Sequence, residues 1–258
     1  MAIIPPVVPP LAINNPYDRH LPPASAFVWL RLGWQDLMTD PWFGLLRGGI
    51  VFALSIAIVT GLVIAEWDYL LLPTLAGFLI FGPALAVSLY DKSRAIEQGE
   101  PRLQRDRLKG KTGIQIMFIG AMLCGLVLLW VRAAILIYAL FFGMRPFPGS
   151  DEILPMLFTT PTGWAMLVIG TLVGALFAAF SFAISAFSIP MLLDRKVDAL
   201  TAMGTSWALV WNNLRALLVW GAVVMALFVA SLATGMLGLI LVFPWLGHAT
   251  WHAYRAVR

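Results

Sequence analysis

In "PWLGHATWHAYRAVR", residues 244 to 258, His248 and His252 stand four apart. On a helix that spacing puts both imidazoles on one face, roughly 6 Å from each other. Such a pair chelates Zn or Cu when a third and fourth ligand converge on it. It cannot give both axial ligands to one haem, because those approach from opposite faces of the ring. The topology derived below leaves Asp91 and Asp194 as the carboxylates at the same depth, so His248, His252, Asp91 and Asp194 form the metal set the chain offers. The alternative needs no metal. An imidazole near a helix C-terminus is favoured by the helix dipole and the membrane interface, and Asp91 and Asp194 have Lys92, Arg94, Arg195 and Lys196 as neighbours.

Other chemistry is sparse. No nucleophile elbow, phosphate-binding glycine loop or HExxH motif is present, which leaves no catalytic residue to name. Three histidines are too few for the roughly six ligands of a haem-copper oxidase subunit. Arg132, in "LCGLVLLWVRAAILIYALFFG", is the charge that falls inside an apolar run. Counting from Lys111, its 21 residues of helix rise about 30 Å, which brings Arg132 to the far headgroups, where it snorkels or pairs with Glu66, Asp68, Asp151 or Glu152. Gly170, Gly174 and Ala178 recur every four residues and form a face that lets another helix approach closely. Ser181, Ser185 and Ser188 follow, and Pro190 frees a backbone carbonyl. They line a solute path or satisfy the backbone. Pro73 and Pro83 with Gly77 and Gly82 are the one hint of a broken helix.

The elements that must carry these residues follow from composition. With 60% hydrophobic and 12% charged residues the chain lies far outside soluble averages, and it reads as an all-α, polytopic membrane helix bundle. The single Cys124 excludes an intramolecular disulfide. A crossing needs about 20 apolar residues. Six stretches qualify, at about 48–65, 69–89, 113–142, 162–193, 214–232 and 235–251. Turns as short as "AEWDY" and "LATG" make helical hairpins of the first and last pairs. Residues 1–26 read as a proline-rich flexible tail and 27–258 as one membrane domain.

Basic residues set the orientation. With the N-terminus inside, fifteen of the seventeen Lys and Arg fall on inner segments, and only Arg132 and Arg145 do not. Both termini are therefore expected to be cytoplasmic. Tryptophan supports this frame, with Trp29, Trp34, Trp42, Trp207, Trp211, Trp245 and Trp251 near the inner boundary and Trp130 and Trp220 deeper, packed on other helices. Before the first span, an interfacial amphipathic helix at 27–40 carries Phe27, Leu30, Trp34, Leu37 and Met38 on one face and Arg31, Gln35 and Asp36 elsewhere. A similar stripe, Leu200, Met203, Trp207, Val210 and Trp211, precedes the fifth span and suggests a diverged duplication or a shared way of entering a bilayer. The inner loop "YDKSRAIEQGEPRLQRDRLKGKTG" mixes seven basic with four acidic residues, which suits anionic headgroups and not nucleic acid.

The segments "IPMLLDRKVDALTAMGTSW" (189–207), "PWLGHATWHAYR" (244–255) and "LRLGWQDLMTDP" resemble the bacterial integral membrane proteins grouped as domain of unknown function 2189. The resemblance runs over about residues 27–256 and implies a six-span protein of the bacterial inner membrane. It implies no activity. Without midplane Asp, Glu, Lys or His, the expected role is a structural, accessory or assembly subunit of a membrane complex, respiratory or photosynthetic, with other membrane subunits as partners. Transport of a small solute or lipid, and metal binding through His248 and His252, are the alternatives.

Overall fold

The computed structural model describes residues 15–100, 110–143 and 149–258, apart from the side chains of Asp68, Ser150, Asp151 and Leu154. Prolines 5, 6, 9 and 10, loop residues 101–109, Arg145, and Asp68 and Asp151 as partners for Arg132 lie outside that description. The described residues form helices α1 (Ser25–Thr39), α2 (Pro41–Ile64), α3 (Leu71–Leu85), α4 (Val87–Glu97), α5 (Lys111–Phe142), α6 (Ser150–Thr159), α7 (Pro161–Ser185), α8 (Ser188–Asp194), α9 (Ala199–Asn212), α10 (Leu214–Ala233) and α11 (Leu239–Val257), with no strand among them.

Several helix starts are written locally. Asp40 accepts from the Phe43 amide ahead of Pro41, and Thr160 accepts from the Gly163 amide ahead of Pro161. Asp198 does the same for Thr201. In each case a polar cap takes a free amide, and at the first two a proline occupies the first helical position, where no N–H is needed.

Five helical stretches are long and apolar enough to cross a membrane: Pro41–Ile64, Leu71–Glu97, Lys111–Phe142, Pro161–Asp194 and Leu214–Ala233. They coincide with the first five expected spans. The sixth differs, because α11 turns polar in its second half, at His248, Thr250, His252 and Arg255, and buries much of that half in the protein. The expected hairpin of the first two spans also opens. α2 packs chiefly on α11 and barely meets α3, which lies on α5 and α7.

Two of the five are broken. α3 passes to α4 at Ala86, three residues after Pro83, and α7 passes to α8 at Ala186 and Phe187, just before Pro190. Ser206 of α9 repairs the second break: its hydroxyl donates to the Ala183 carbonyl (2.8 Å) and accepts from the Phe187 amide (3.2 Å). Ser181 donates to the Ile80 carbonyl of α3 (2.9 Å), and Ser185 and Ser188 bond back within their own chain segment. These serines satisfy backbone.

Glycines set the closest crossings. A methyl group at Gly48 would lie 2.0 Å from the Ile240 carbonyl oxygen, and one at Gly33 would lie 2.5 Å from the Ala249 amide nitrogen. Both clashes are with the backbone of α11, so α1 and α2 approach that helix as only glycine permits. Gly174 also meets a neighbour, the Trp130 ring of α5 at 2.9 Å, whereas nothing lies near Gly170, and Ala178 is half-buried. Trp130 further donates to the Pro73 carbonyl (2.8 Å), and Trp220 packs edge-on against Trp29. Arg132 is exposed on α5.

Candidate functional site

The face of α1 that enters the protein carries Ala26, Trp29, Gly33, Asp36 and Leu37. Of the expected apolar stripe, Phe27, Trp34 and Met38 are exposed instead, and Asp36, expected on a polar face, is only 8% exposed. The small residues decide this. Gly33 admits α11 and, one turn later, Asp36 reaches the histidine face of that helix.

There the polar groups close into a chain. Asp36 Oδ2 accepts from Ser93 Oγ (2.6 Å) and from His252 Nε2 (2.8 Å). Ser93 Oγ also lies 2.7 Å from His248 Nδ1. A serine has one proton, and it is committed to Asp36, so His248 Nδ1 must carry the hydrogen of the second bond. Ser93 and His248 are each 1% exposed. The order is imidazole, carboxylate, hydroxyl, imidazole, drawn from α1, α4 and α11.

This is not a Ser–His–Asp hydrolase triad. In that arrangement the imidazole stands between hydroxyl and carboxylate and takes the serine proton. Here the hydroxyl stands in the middle, gives its proton to the carboxylate, and is sealed from any substrate carbonyl.

A second layer of contacts surrounds the cluster. Lys92 bonds Asp40 (2.6 Å), and that hydrogen bond holds the Asp40 carboxyl below the ordinary range against the smaller opposing effect of burial. Glu97 receives Trp251 Nε1 (3.0 Å) and Arg255 (2.6 Å), both from α11. Arg94 faces Asp91 within α4 (3.4 Å), both buried. Asp194, at the end of α8, accepts from the Tyr254 hydroxyl (2.7 Å) and from Arg258. Arg19 closes the set by donating to the Val257 carbonyl (3.1 Å), while its own amide donates to Asn213 Oδ1 (3.0 Å).

The candidate residues therefore find particular places. His248 and His252 share a face as their spacing requires, and their bonded nitrogens meet Ser93 and Asp36. Asp91 sits beside Arg94, and Asp194 meets Tyr254 and Arg258. Among the described residues no group of three or more His, Cys, Asp or Glu is arranged to hold a metal ion. Asp36 and Ser93 were not among the sequence candidates. The signal available for the α2 and α11 contact was the small-residue pair Gly44 and Gly48, four apart, in "GLLRG".

A cleft lies on the other side of α2. It has a volume of about 460 Å³ and is lined mainly by apolar residues of α2, α3, α5, α10 and α11, with Ser55 and Thr74 among them.

No curated protein and no solved structure matches the chain. A family model described as predicted integral membrane protein, domain of unknown function 2189, matches residues 71–194. That segment runs from α3 to α8 and includes both broken helices and Ser93, while the "LRLGWQDLMTDP" and "PWLGHATWHAYR" segments that complete the cluster lie outside it. Across residues 71–194 the chain is similar to the integral membrane proteins of domain of unknown function 2189.

Proposed function

We propose that this is a multi-pass protein of the bacterial inner membrane, with both termini in the cytoplasm and α11 as a sixth crossing, that serves as a non-catalytic accessory or assembly subunit of a membrane complex. The observation that carries the reading is the closed state of the polar cluster. Asp36, Ser93, His248 and His252 are bonded to one another across three helices, with Ser93 and His248 buried. Such a cluster stiffens one end of the bundle, which suits a scaffold. Arg19, Lys92, Arg94, Arg195, Arg255 and Arg258 gather at that end through their contacts with α4, α8 and α11, as the inner end of a membrane protein requires.

A specific observation favours transport as the second reading. α3/α4 and α7/α8 are both interrupted shortly before their polar ends, and paired broken helices mark binding sites in many carriers. Ser206 already satisfies the second break, which leaves few free carbonyls for an ion.

One experiment addresses the reading. A fluorescent tag that matures only in the cytoplasm is fused after Arg258, and the protein is isolated gently through it. The expected result is a fluorescent membrane fraction that yields a stoichiometric second membrane chain by mass spectrometry. A dark fusion overturns the orientation, and recovery as a lone chain overturns the subunit role.

A further inference from the structure

The cleft beside α2 and a cation one turn before it on the same helix combine into a site. Its walls are Val51, Leu54 and Ile58 of α2, Phe78 and Phe81 of α3, and Phe228 of α10. Because α2 leans on α11 and not on α3, the gap between consecutive spans stays open and apolar. Arg47 lies one turn before Val51 on the same face of α2. From Arg47 to Ile58 the helix rises about 16 Å, close to half of the roughly 30 Å hydrocarbon core, which is the depth of one leaflet.

Arg47 is also the unbalanced charge of this corner. Its guanidinium carbon lies 5.2 Å from the centre of the Phe43 ring, and Lys92 Nζ lies 5.3 Å from the same centre. Lys92 is neutralised by Asp40 at 2.6 Å. Arg47 has no carboxylate partner among the described residues, and its buried Nε has no hydrogen-bond partner. A partly buried guanidinium in this state calls for a planar or tetrahedral oxyanion.

We propose that this cleft holds an acyl chain of one anionic phospholipid whose phosphate is bound by Arg47. The tail fills the apolar gap between α2 and α3 where a helix contact is missing. The headgroup supplies the oxygens that Arg47 lacks, with Phe43 as the platform beneath the guanidinium. The inference rests on the membrane nature of the chain and not on its role as a subunit.

The test uses the full chain purified in a mild detergent, titrated with phosphatidylglycerol or phosphatidylcholine and read by native mass spectrometry. One phosphatidylglycerol per chain is expected, bound about tenfold more tightly than phosphatidylcholine. Arg47→Gln is expected to remove that preference, with Arg47→Lys keeping most of it. Ser55→Phe blocks the tail without touching the charge, since Ser55 only bonds its own helix at the Val51 carbonyl (2.8 Å), and it should weaken both lipids alike. Glycerol phosphate, a headgroup without a tail, should not compete. Equal binding of both lipids, an unaffected Ser55→Phe variant, or competition by glycerol phosphate would each overturn the proposal. A stable partner chain, present or absent, has no bearing on these readouts.

Discussion

Replacing Asp36 by alanine removes the acceptor that holds Ser93 of α4 and His252 of α11 to α1. Ser93 is buried and keeps only His248 as a partner, so its hydroxyl loses its better bond with no water to replace it. The side chain of His252 is 18% exposed and recovers part of its loss from solvent. A hydrogen bond to a charged group contributes about 1.5–3 kcal/mol, and two such bonds, discounted for His252, give a cost of about 2–4 kcal/mol. For a chain of this size each kcal/mol moves the midpoint by about 2–4 °C, so thermal unfolding followed by tryptophan fluorescence in detergent should fall by about 5–15 °C. Asp36→Asn keeps one acceptor oxygen and should fall about half as far. A double-mutant cycle with His252→Ala should give a coupling of about 1 kcal/mol or more. A cost for Asp36→Ala below about 0.5 kcal/mol, or additive single effects in the cycle, would refute the claim that the cluster ties α11 to α1.

Gly48→Ala tests the closest backbone approach. The added methyl would meet the Ile240 carbonyl at 2.0 Å, so overpacking of about 1–3 kcal/mol should outweigh the gain of up to about 1 kcal/mol in helix propensity, seen as a lower unfolding midpoint. Asp40 gives a pH test. Its folded pKa is depressed below 3.8, chiefly by Lys92, so its contribution is present above 3.8 and is lost as pH falls through the folded value. The destabilisation by Lys92→Met, about 1 kcal/mol at most for so exposed a carboxylate, should therefore be present at neutral pH, shrink below pH 3.8, and weaken with salt.

Five apolar helices were legible because each is long and poor in charge, and some are bounded by local signals, such as Asp40 with Pro41 and Thr160 with Pro161. α1 and α9 were legible as helices for the same reason, but the inward face of α1 was not. An amphipathic pattern assumes that the apolar face is the buried face. α1 has protein on one side and an open apolar surface on the other, so Phe27, Trp34 and Met38 face out while Asp36 goes in. The histidine pair was visible and its partners were not, since Asp36 lies 216 residues from His252 and Ser93 lies 155 from His248. Periodicity carries no information about contacts at such range. Asp91 and Asp194 were expected at one depth as ligands, and they meet Arg94 and Tyr254 instead.

Why α11 is secured by polar groups follows from the solvent. Within a bilayer an apolar helix face gains little by leaving lipid for another apolar face, so burial alone does not fix which helix lies where. What fixes it is contact that lipid cannot imitate. Glycine crossings at Gly33 and Gly48 bring backbones closer than any lipid tail can, and hydrogen bonds to Asp36, Ser93, Glu97 and Asp194 select one register of α11. A shift of α11 by one residue would turn His248 and His252 through about 100° and leave Ser93 and Asp36 with only each other. The same argument explains the cleft beside α2. Where glycines and hydrogen bonds hold α2 to α11, nothing comparable holds it to α3, and the space between them is left for lipid to fill.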